Sequence, residues 1–265
     1  MDEGSVVEAY KSAVVPFSDK IKVMTCEPSA GLVDCLVFDN RIDFYMELAR
    51  LESRSNFKFF TGNTGRMGIN YAREAMAEAA IVQGMDYILM IDDDQIVPKE
   101  MFERLYKTMQ DQKADIVAPM VTQRIHPFKP VMWKHSHFKA DDGKKSVSCD
   151  FIDTYEPDEV ISVDAVGFGV VLIKTELMKK IALPRFFSNN NFGEDIWFCM
   201  RAKGQAGAKI VVDTSIKVGH LRSPEVATEW DYVKANGLEK KFDNVYGHLT
   251  KKVTIDALNE KQVAA

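Results

Sequence analysis

The sequence predicts an α/β protein with a mostly parallel central sheet flanked by helices. Between residues 21 and 121, strand-like apolar runs alternate with stretches of helical periodicity. The unbroken apolar run at residues 87–91 (YILMI) has the length of a parallel strand that is covered on both faces. Hydrophobic residues make up 46% of the chain and charged residues 28%, which is typical of a globular protein.

The elements of the first half are predicted from apolar periodicity and turn-forming residues. They are, in order, a strand at residues 21–26, a helix at 34–53, a strand at 57–60, a helix at 69–83, a strand at 87–91, a helix from 98 and a strand at 116–121. The helix at 69–83 shows the clearest pattern, because Ile69, Ala72, Met76 and Ala80 fall at steps of three and four.

Periodicity weakens at residues 123–159, which predicts a long polar loop. Regular patterns then resume, with strands at 160–166, 169–173 and 209–212, helices at 175–181 and 194–203, and a short stretch at 215–220. We therefore expect an N-terminal extension at 1–20, one α/β domain at 21–222 and a partly helical C-terminal extension at 223–265.

Charge and cysteine content exclude several classes of protein. A net charge of −5 argues against a protein that wraps nucleic acid by its overall charge. The four cysteines (Cys26, Cys35, Cys149 and Cys199) contain no CxxC pair, and residues 1–20 do not resemble a signal peptide. No window approaches 18 consecutive apolar residues. These features predict reduced thiols in a soluble, cytoplasmic protein.

Three consecutive carboxylates, Asp92, Asp93 and Asp94, follow the apolar run at 87–91. Adjacent carboxylates repel one another unless water or a cation intervenes, and ligands of open α/β sheets gather at the carboxyl ends of strands. In an extended segment Asp92 and Asp94 would point the same way and Asp93 away. Asp92 and Asp94 together then suit Mg²⁺ or Mn²⁺ that bridges a diphosphate. A solvated acidic turn is the alternative.

Two further features fit the same chemistry. Glu194 and Asp195 open a predicted helix, where acidic residues favour the helix dipole; alternatively, one of them takes a proton from an acceptor hydroxyl. His220 ends the stretch at 215–220 and offers a nitrogen ligand, which tilts the metal toward Mn²⁺. An ordinary surface or core histidine is the alternative.

These motifs together resemble the family-2-like glycosyltransferases of the GT-A fold. Residues 65–98 contain that family's Gly-x-x-x-Ala-Arg helix start, here Gly68 to Arg73, and then an apolar strand that runs into Asp-x-Asp. Residues 163–220 follow the family's order of a glycine-containing strand, a helix, a Glu-Asp helix and a terminal His. Residues 124–130 (RIHPFKP) are similar to a stretch of its short, soluble members from bacteria and phage.

The resemblance covers about residues 21–222 and implies a Rossmann-like GT-A domain that transfers a hexose. It implies a nucleotide-sugar donor, a UDP- or GDP-sugar, together with Mn²⁺ or Mg²⁺. The implied donor and nucleotide contacts are Pro28, Ser29, Arg66, Arg73, Asp92, Asp93 and Gly167. The implied metal ligands are Asp92, Asp94 and His220. Asp195 would be the catalytic base of an inverting enzyme, and Glu194 is its rival.

Two features of the sequence depart from the pattern of this family. The family's Ala-Arg-Asn is Ala72-Arg73-Glu74 here, and its usual Asp after the second strand has no clear counterpart.

Residues 122–145 carry six Lys or Arg against two Asp. This local charge predicts a loop that closes over a diphosphate or attracts an anionic acceptor, with a merely solvated loop as the alternative.

Two other functions share part of this pattern. A nucleotidyltransferase shares related architecture, but it generally carries a glycine-rich basic loop after the first strand, and residues 28–32 (PSAGL) are neither. A non-catalytic sugar- or nucleotide-binding module would not need Asp92, Asp94, Asp195 and His220 together.

Overall fold

The computed structural model describes residues 19–29, 31, 33–65, 67–139, 145–189, 192–222 and 225–245, with the backbone alone at 136–139, 145–147 and 225–226. Most of the predicted N-terminal extension at 1–20 and the last part of the C-terminal extension lie outside these residues.

The described elements match most of the predicted ones. The strands are β1 (Ile21–Pro28), β2 (Phe57–Thr64), β3 (Tyr87–Ile91), β4 (Gln95–Ile96), β5 (Ile116–Met120), β6 (Met132–Lys139), β7 (Lys145–Phe151), β8 (Val160–Val163), β9 (Ala165–Val166), β10 (Val170–Lys174), β11 (Ile210–Lys217), β12 (Gly219–Arg222) and β13 (Glu225–Ala227). The helices are α1 (Cys35–Arg54), α2 (Ile69–Val82), α3 (Met101–Gln112), α4 (Thr175–Lys179), α5 (Glu194–Ala206) and α6 (Glu229–Ala235).

A seven-stranded sheet in the order β2-β1-β3-β10-β5-β11-β8 forms the centre of the fold. Five strands run in one direction, whereas β10 and β8 run in the other. The predicted α/β class with a mostly parallel sheet is therefore confirmed. Because β10 is antiparallel to β3, residues 167–169 lie at the edge where β3 ends. There the Asp92 N–H donates to the Gly169 carbonyl at 2.8 Å.

Helices cover both faces of the sheet, as the apolar run of β3 predicts. Ile88 and Met90 point to a core shared with α2, α4 and α5. Leu89 and Ile91 point to a core shared with α1 and α3. All four side chains are fully buried, so β3 delivers Asp92 to the edge of the sheet from a rigid position.

Residues 123–159 differ from the prediction of a long polar loop. β6 and β7 form an antiparallel hairpin here, with Trp133 opposite Phe151 and His135 opposite Cys149. β6 also pairs with β9. Polar residues occupy much of the hairpin, so apolar periodicity did not indicate strands. Cross-strand pairs stabilise it instead, such as Trp133 and Phe151, whose ring centroids are 5.2 Å apart.

The chain after β11 packs against the same domain. β12 pairs with β4 on one side and with β13 on the other, and His220 lies opposite Gln95. Tyr232 and Phe242 are buried in the larger hydrophobic core. Residues 225–245 therefore share a core with the sheet, while the predicted domain boundary at residue 222 stays a prediction.

The cysteines are unpaired, and Cys26 and Cys199 are buried. Burial raises the pKa of Cys26 to about 12, so this thiol packs in the core rather than acting as a nucleophile. In the part of the chain that the structure describes, no helix is long and apolar enough to cross a membrane. The cytoplasmic location stays a prediction.

Candidate active site

Arg73 of α2 is a buried cation that joins the two acidic motifs. Its Nη2 donates to Asp92 Oδ1 at 2.8 Å and to Oδ2 at 3.0 Å, and its Nη1 lies 2.8 Å from Glu194 Oε1. The guanidinium also lies 5.4 Å from the centre of the Phe168 ring. A buried guanidinium needs such partners, because an unpaired charge in the interior is costly. Arg73 thus fixes the end of β3 relative to the start of α5.

Asp92 is held through both its side chain and its main chain. Its carboxylate faces Arg73, while its carbonyl accepts a hydrogen bond from Arg41 Nη2 at 2.9 Å. Burial raises the pKa of Asp92 to about 6, although the charge of Arg73 opposes this shift. In this structure both carboxylate oxygens of Asp92 therefore bind Arg73.

Asp94 faces a different set of partners. Its Oδ2 lies 3.2 Å from His220 Nε2 and 3.2 Å from Arg124 Nη1, and its Oδ1 accepts from Gln95 Nε2 at 2.9 Å. Burial raises the pKa of Asp94, but the hydrogen bond and charge of His220, with help from Gln95 and Arg124, hold it below the usual value. The carboxylate of Asp94 is therefore kept ionised.

The triple-aspartate segment differs from the extended conformation that was expected. Residues 93–94 lie in a turn after β3, so the alternation of an extended strand does not apply. Asp92 and Asp94 bind different cations, Arg73 and Arg124, rather than converging on one ligand. Asp93 lies between them in the turn.

Asp195 lies in the first turn of α5, beside two glycines. Its Oδ1 accepts from the Ile196 N–H at 2.7 Å. A Cβ atom at Gly167 would lie 3.7 Å from Asp195 Oδ2 and 2.9 Å from Val131 Cγ2. A side chain at residue 167 would therefore clash with Val131, so glycine allows Val131 to pack closely beside the carboxylate of Asp195. Burial, followed by the charge of Glu194, raises the pKa of Asp195, and Arg73 offsets the shift only in part.

The predicted contacts to the nucleotide base lie at the same edge of the sheet. Pro28 is buried at the end of β1, which pairs with β3. The Ser29 hydroxyl accepts from the Gly31 N–H at 3.0 Å. Arg66 lies outside the described residues, so its predicted role stays a prediction.

Arg41 is a buried cation beside the site that was not predicted from the sequence. This residue is 5% exposed, its Nε lies 3.1 Å from Glu27 Oε1, and Glu27 also accepts a hydrogen bond from the Tyr45 hydroxyl. A signal was present, because Arg41 falls on the helical stripe of Phe44 and Leu48. A cation on the buried face of a helix needs an anionic or carbonyl partner.

The chain matches a known protein family over most of its length. Residues 44–236, more than half of the chain, match the model of the family described as "Glycosyltransferase like family 2". The chain belongs to this family. Membership in glycosyltransferase-like family 2 supports glycosyl transfer as the activity and agrees with the GT-A, family-2-like fold.

Several solved structures are similar to this family-2 chain. A197 from STIV is 18% identical, with 76% of this chain and 86% of that chain covered and a TM-score of 0.49. Apo UDP-glucose pyrophosphorylase is 9% identical, with 83% and 99% covered and a TM-score of 0.45. S. aureus TarS 1-349 is 14% identical, with 84% and 66% covered and a TM-score of 0.42. No curated protein matches significantly. At this level of similarity, what those proteins bind does not carry over to this chain.

The donor atoms of Asp94 and His220 fit a divalent cation. His220 Nδ1 lies 2.7 Å from the Thr122 carbonyl, which can only accept, so Nδ1 carries a proton. When the ring also carries a proton on Nε2, that nitrogen donates to Asp94 Oδ2; when this proton is lost, the lone pair of Nε2 faces the carboxylate, and a cation between them would satisfy both atoms. Among the described residues no group of three or more His, Cys, Asp and Glu could hold a metal. The pair therefore suits a cation whose other ligands are phosphate oxygens and water.

Proposed function

We propose that this family-2 chain transfers a sugar from a nucleotide-activated donor to an acceptor hydroxyl, with a divalent metal ion and with inversion at the anomeric carbon. One observation carries the proposal: Arg73 binds Asp92 and Glu194 simultaneously. This contact joins the metal- and diphosphate-binding motif to the turn that bears Asp195. In the proposal, these two motifs form the two halves of the transfer site.

Asp195 acts as the general base in this proposal. Its Oδ1 accepts from the Ile196 N–H, whereas Oδ2 lies on the side of Gly167. We assign Oδ2 as the atom that takes the proton from the acceptor hydroxyl while the oxygen attacks the sugar. The raised pKa of Asp195 makes the carboxylate a stronger base than an ordinary aspartate.

Asp94 and His220 hold the metal, Mn²⁺ or Mg²⁺, and Asp92 orders the segment before them through Arg73. When bound, the metal neutralises the negative charge that grows on the leaving diphosphate. Arg124 lies beside Asp94, and its side chain is 57% exposed, so it can turn toward a phosphate without unfolding its surroundings. In this proposal Pro28 and Ser29, at the end of β1, contact the base of a UDP- or GDP-sugar.

A donor panel tests this function. Thermal shift with UDP, GDP and their sugars, with Mn²⁺ and again with excess chelator, identifies the donor, because a ligand that binds only the folded state raises its apparent stability. Equal stabilisation with chelator would contradict metal-bridged binding. NMR of the product of a transfer reaction then gives its anomeric configuration, and retention would contradict the role of Asp195.

The same reactions separate the two alternatives. A nucleotidyltransferase would release pyrophosphate from a nucleoside triphosphate and a sugar phosphate. A binding module would be stabilised by donors without turning any of them over.

A further inference from the structure

Arg185 is a second buried arginine, and it lies in the segment that leads into α5. It is 6% exposed. Its Nε donates to the Met178 carbonyl in α4 at 2.8 Å. Its Nη1 lies 2.6 Å from Glu74 Oε1 and 2.5 Å from Glu78 Oε1. Two of its partners therefore belong to α2, the helix that also carries Arg73.

Glu74 binds the main chain of the same segment. Its Oε2 accepts from the N–H of Arg185 at 2.6 Å and from the N–H of Phe186 at 3.1 Å. One carboxylate thus holds both the backbone and the side chain of Arg185 through charge-assisted hydrogen bonds, which are stronger than neutral ones. This fixes the position of Phe186.

Phe186 transmits this anchoring to α5. Its ring stacks on Phe198 of α5, with centroids 4.7 Å apart and planes 8° apart. Both rings also contact Phe168, over which the Arg73 guanidinium lies. Phe198 is one helical turn after Glu194, so the contact reaches the part of α5 that bears the acidic pair.

We propose that Glu74 and Arg185 are positioning residues that set the orientation of the first turn of α5, and with it the location of Asp195. Two consecutive residues of α2 then hold this turn: Arg73 through Glu194, and Glu74 through Arg185 and Phe186. The inference deepens the proposed function and rests on it. A base acts only within hydrogen-bond reach of its proton, whereas the donor is held by contacts from other elements.

Steady-state kinetics test the pair with a matched control. Glu74→Ala should lower kcat by about 10- to 100-fold, because displacing a reacting group by about 1 Å costs on that order, with the donor KM unchanged within about twofold. Glu74→Gln should lose less, because its amide oxygen can still accept from the two N–H groups. The control is Glu78→Gln: Glu78 pairs with the same nitrogen, but its side chain is 45% exposed, so kcat should stay within about twofold. An unchanged kcat in Glu74→Ala would overturn the proposal.

Hydrogen exchange separates positioning from overall stability and from a failure of the proposed function. In Glu74→Ala, amides at residues 192–200 should exchange faster while those of β3 keep their protection. If both regions lose protection equally and kcat falls only with the folded fraction, the role of the pair is merely structural and the proposal fails. If wild-type protein transfers no sugar from any donor, the proposed function fails, while faster exchange confined to residues 192–200 still supports the anchoring of α5.

Discussion

His220 Nε2 lies 3.2 Å from Asp94 Oδ2, although the two residues are 126 positions apart in the chain. The contact exists because β12, which bears His220, pairs with β4 directly after the aspartate turn. The Leu221 N–H also donates to the Asp94 carbonyl at 2.7 Å. The two candidate ligands are therefore fixed to each other by backbone hydrogen bonds.

Metal binding should depend on both of these residues. Asp94→Asn and His220→Ala should each weaken Mn²⁺ binding in the presence of nucleoside diphosphate by at least about tenfold, as loss of a metal-site contact commonly does. Calorimetric titration measures the change. Asp111→Asn, at an exposed carboxylate on α3, is the control and should bind normally. Normal binding in both site variants would refute this metal site.

Removing the proposed base should reduce turnover and spare binding. Asp195→Asn should lower kcat by about 10²–10⁴, the usual contribution of general-base catalysis, with donor affinity nearly unchanged. Glu194→Gln is the comparison: it keeps an oxygen that can accept from Arg73, the partner of Glu194, so it should lower kcat less than Asp195→Asn does. Full activity in Asp195→Asn, with loss in Glu194→Gln, would move the base assignment to Glu194.

Asp195→Asn should also raise the stability of the folded protein at neutral pH. The folded-state pKa of Asp195 is raised by burial and by Glu194, so its protonated form favours folding at low pH, and that contribution is lost as pH rises through the folded pKa. Asparagine removes the buried charge and keeps an oxygen for the Ile196 N–H. The Tm of Asp195→Asn should therefore exceed that of wild type at neutral pH. The difference should shrink as the pH falls; a difference that grows toward acid would contradict the raised pKa.

The pH dependence of activity should also reveal the titration of Asp195, as a fall in kcat/KM on the acid side. Because the carboxylate must be ionised to accept a proton, kcat/KM should fall as pH drops through the pKa of Asp195 in the free enzyme. That limb should lie above the range of an ordinary aspartate, as the direction of the shift requires. A pH profile of wild type against Asp195→Asn measures it. A limb that persists unchanged in the variant belongs to another group.

Arg73 should be far more sensitive to substitution than a surface arginine. Arg73→Met leaves Asp92 and Glu194 without their shared cation, and breaking a buried ion pair costs about 3–5 kcal/mol. Urea unfolding measures the loss. Arg50→Met is the control, because Arg50 makes a surface ion pair with Glu47 and should change stability by less than about 1 kcal/mol. Similar losses in the two variants would show that the Arg73 bridge contributes little.

The family resemblance named the candidate site residues, and the structure places Arg73 against Asp92 and Glu194, and Asp94 against His220, while their roles stay predictions. The apolar run of β3 correctly predicted a strand covered on both faces, and its carboxyl end was the expected place for Asp92. The partners of these residues could not be predicted. That Arg73 binds both Asp92 and Glu194 depends on how α2 and α5 pack, which periodicity within each helix does not encode.

The hairpin of β6 and β7 escaped prediction for a different reason. Its stability comes from pairs formed across strands, such as Trp133 with Phe151, and a local window along the chain does not contain both partners. Arg41, in contrast, was visible in principle, since a charged residue on an apolar helical stripe is a local pattern.

The burial of Tyr232 and Phe242 limits how far the protein can be shortened. Tyr155 stacks with Tyr232 and meets Phe242 edge-on, with centroids 6.2 Å and 5.6 Å apart, and its hydroxyl donates to Glu229 at 2.7 Å. A protein that ends at residue 222 would lack Tyr232 and Phe242, which cover the ring of Tyr155. It would also lack β13, which pairs with β12. A shortened protein that preserves this core must therefore retain the residues through Phe242.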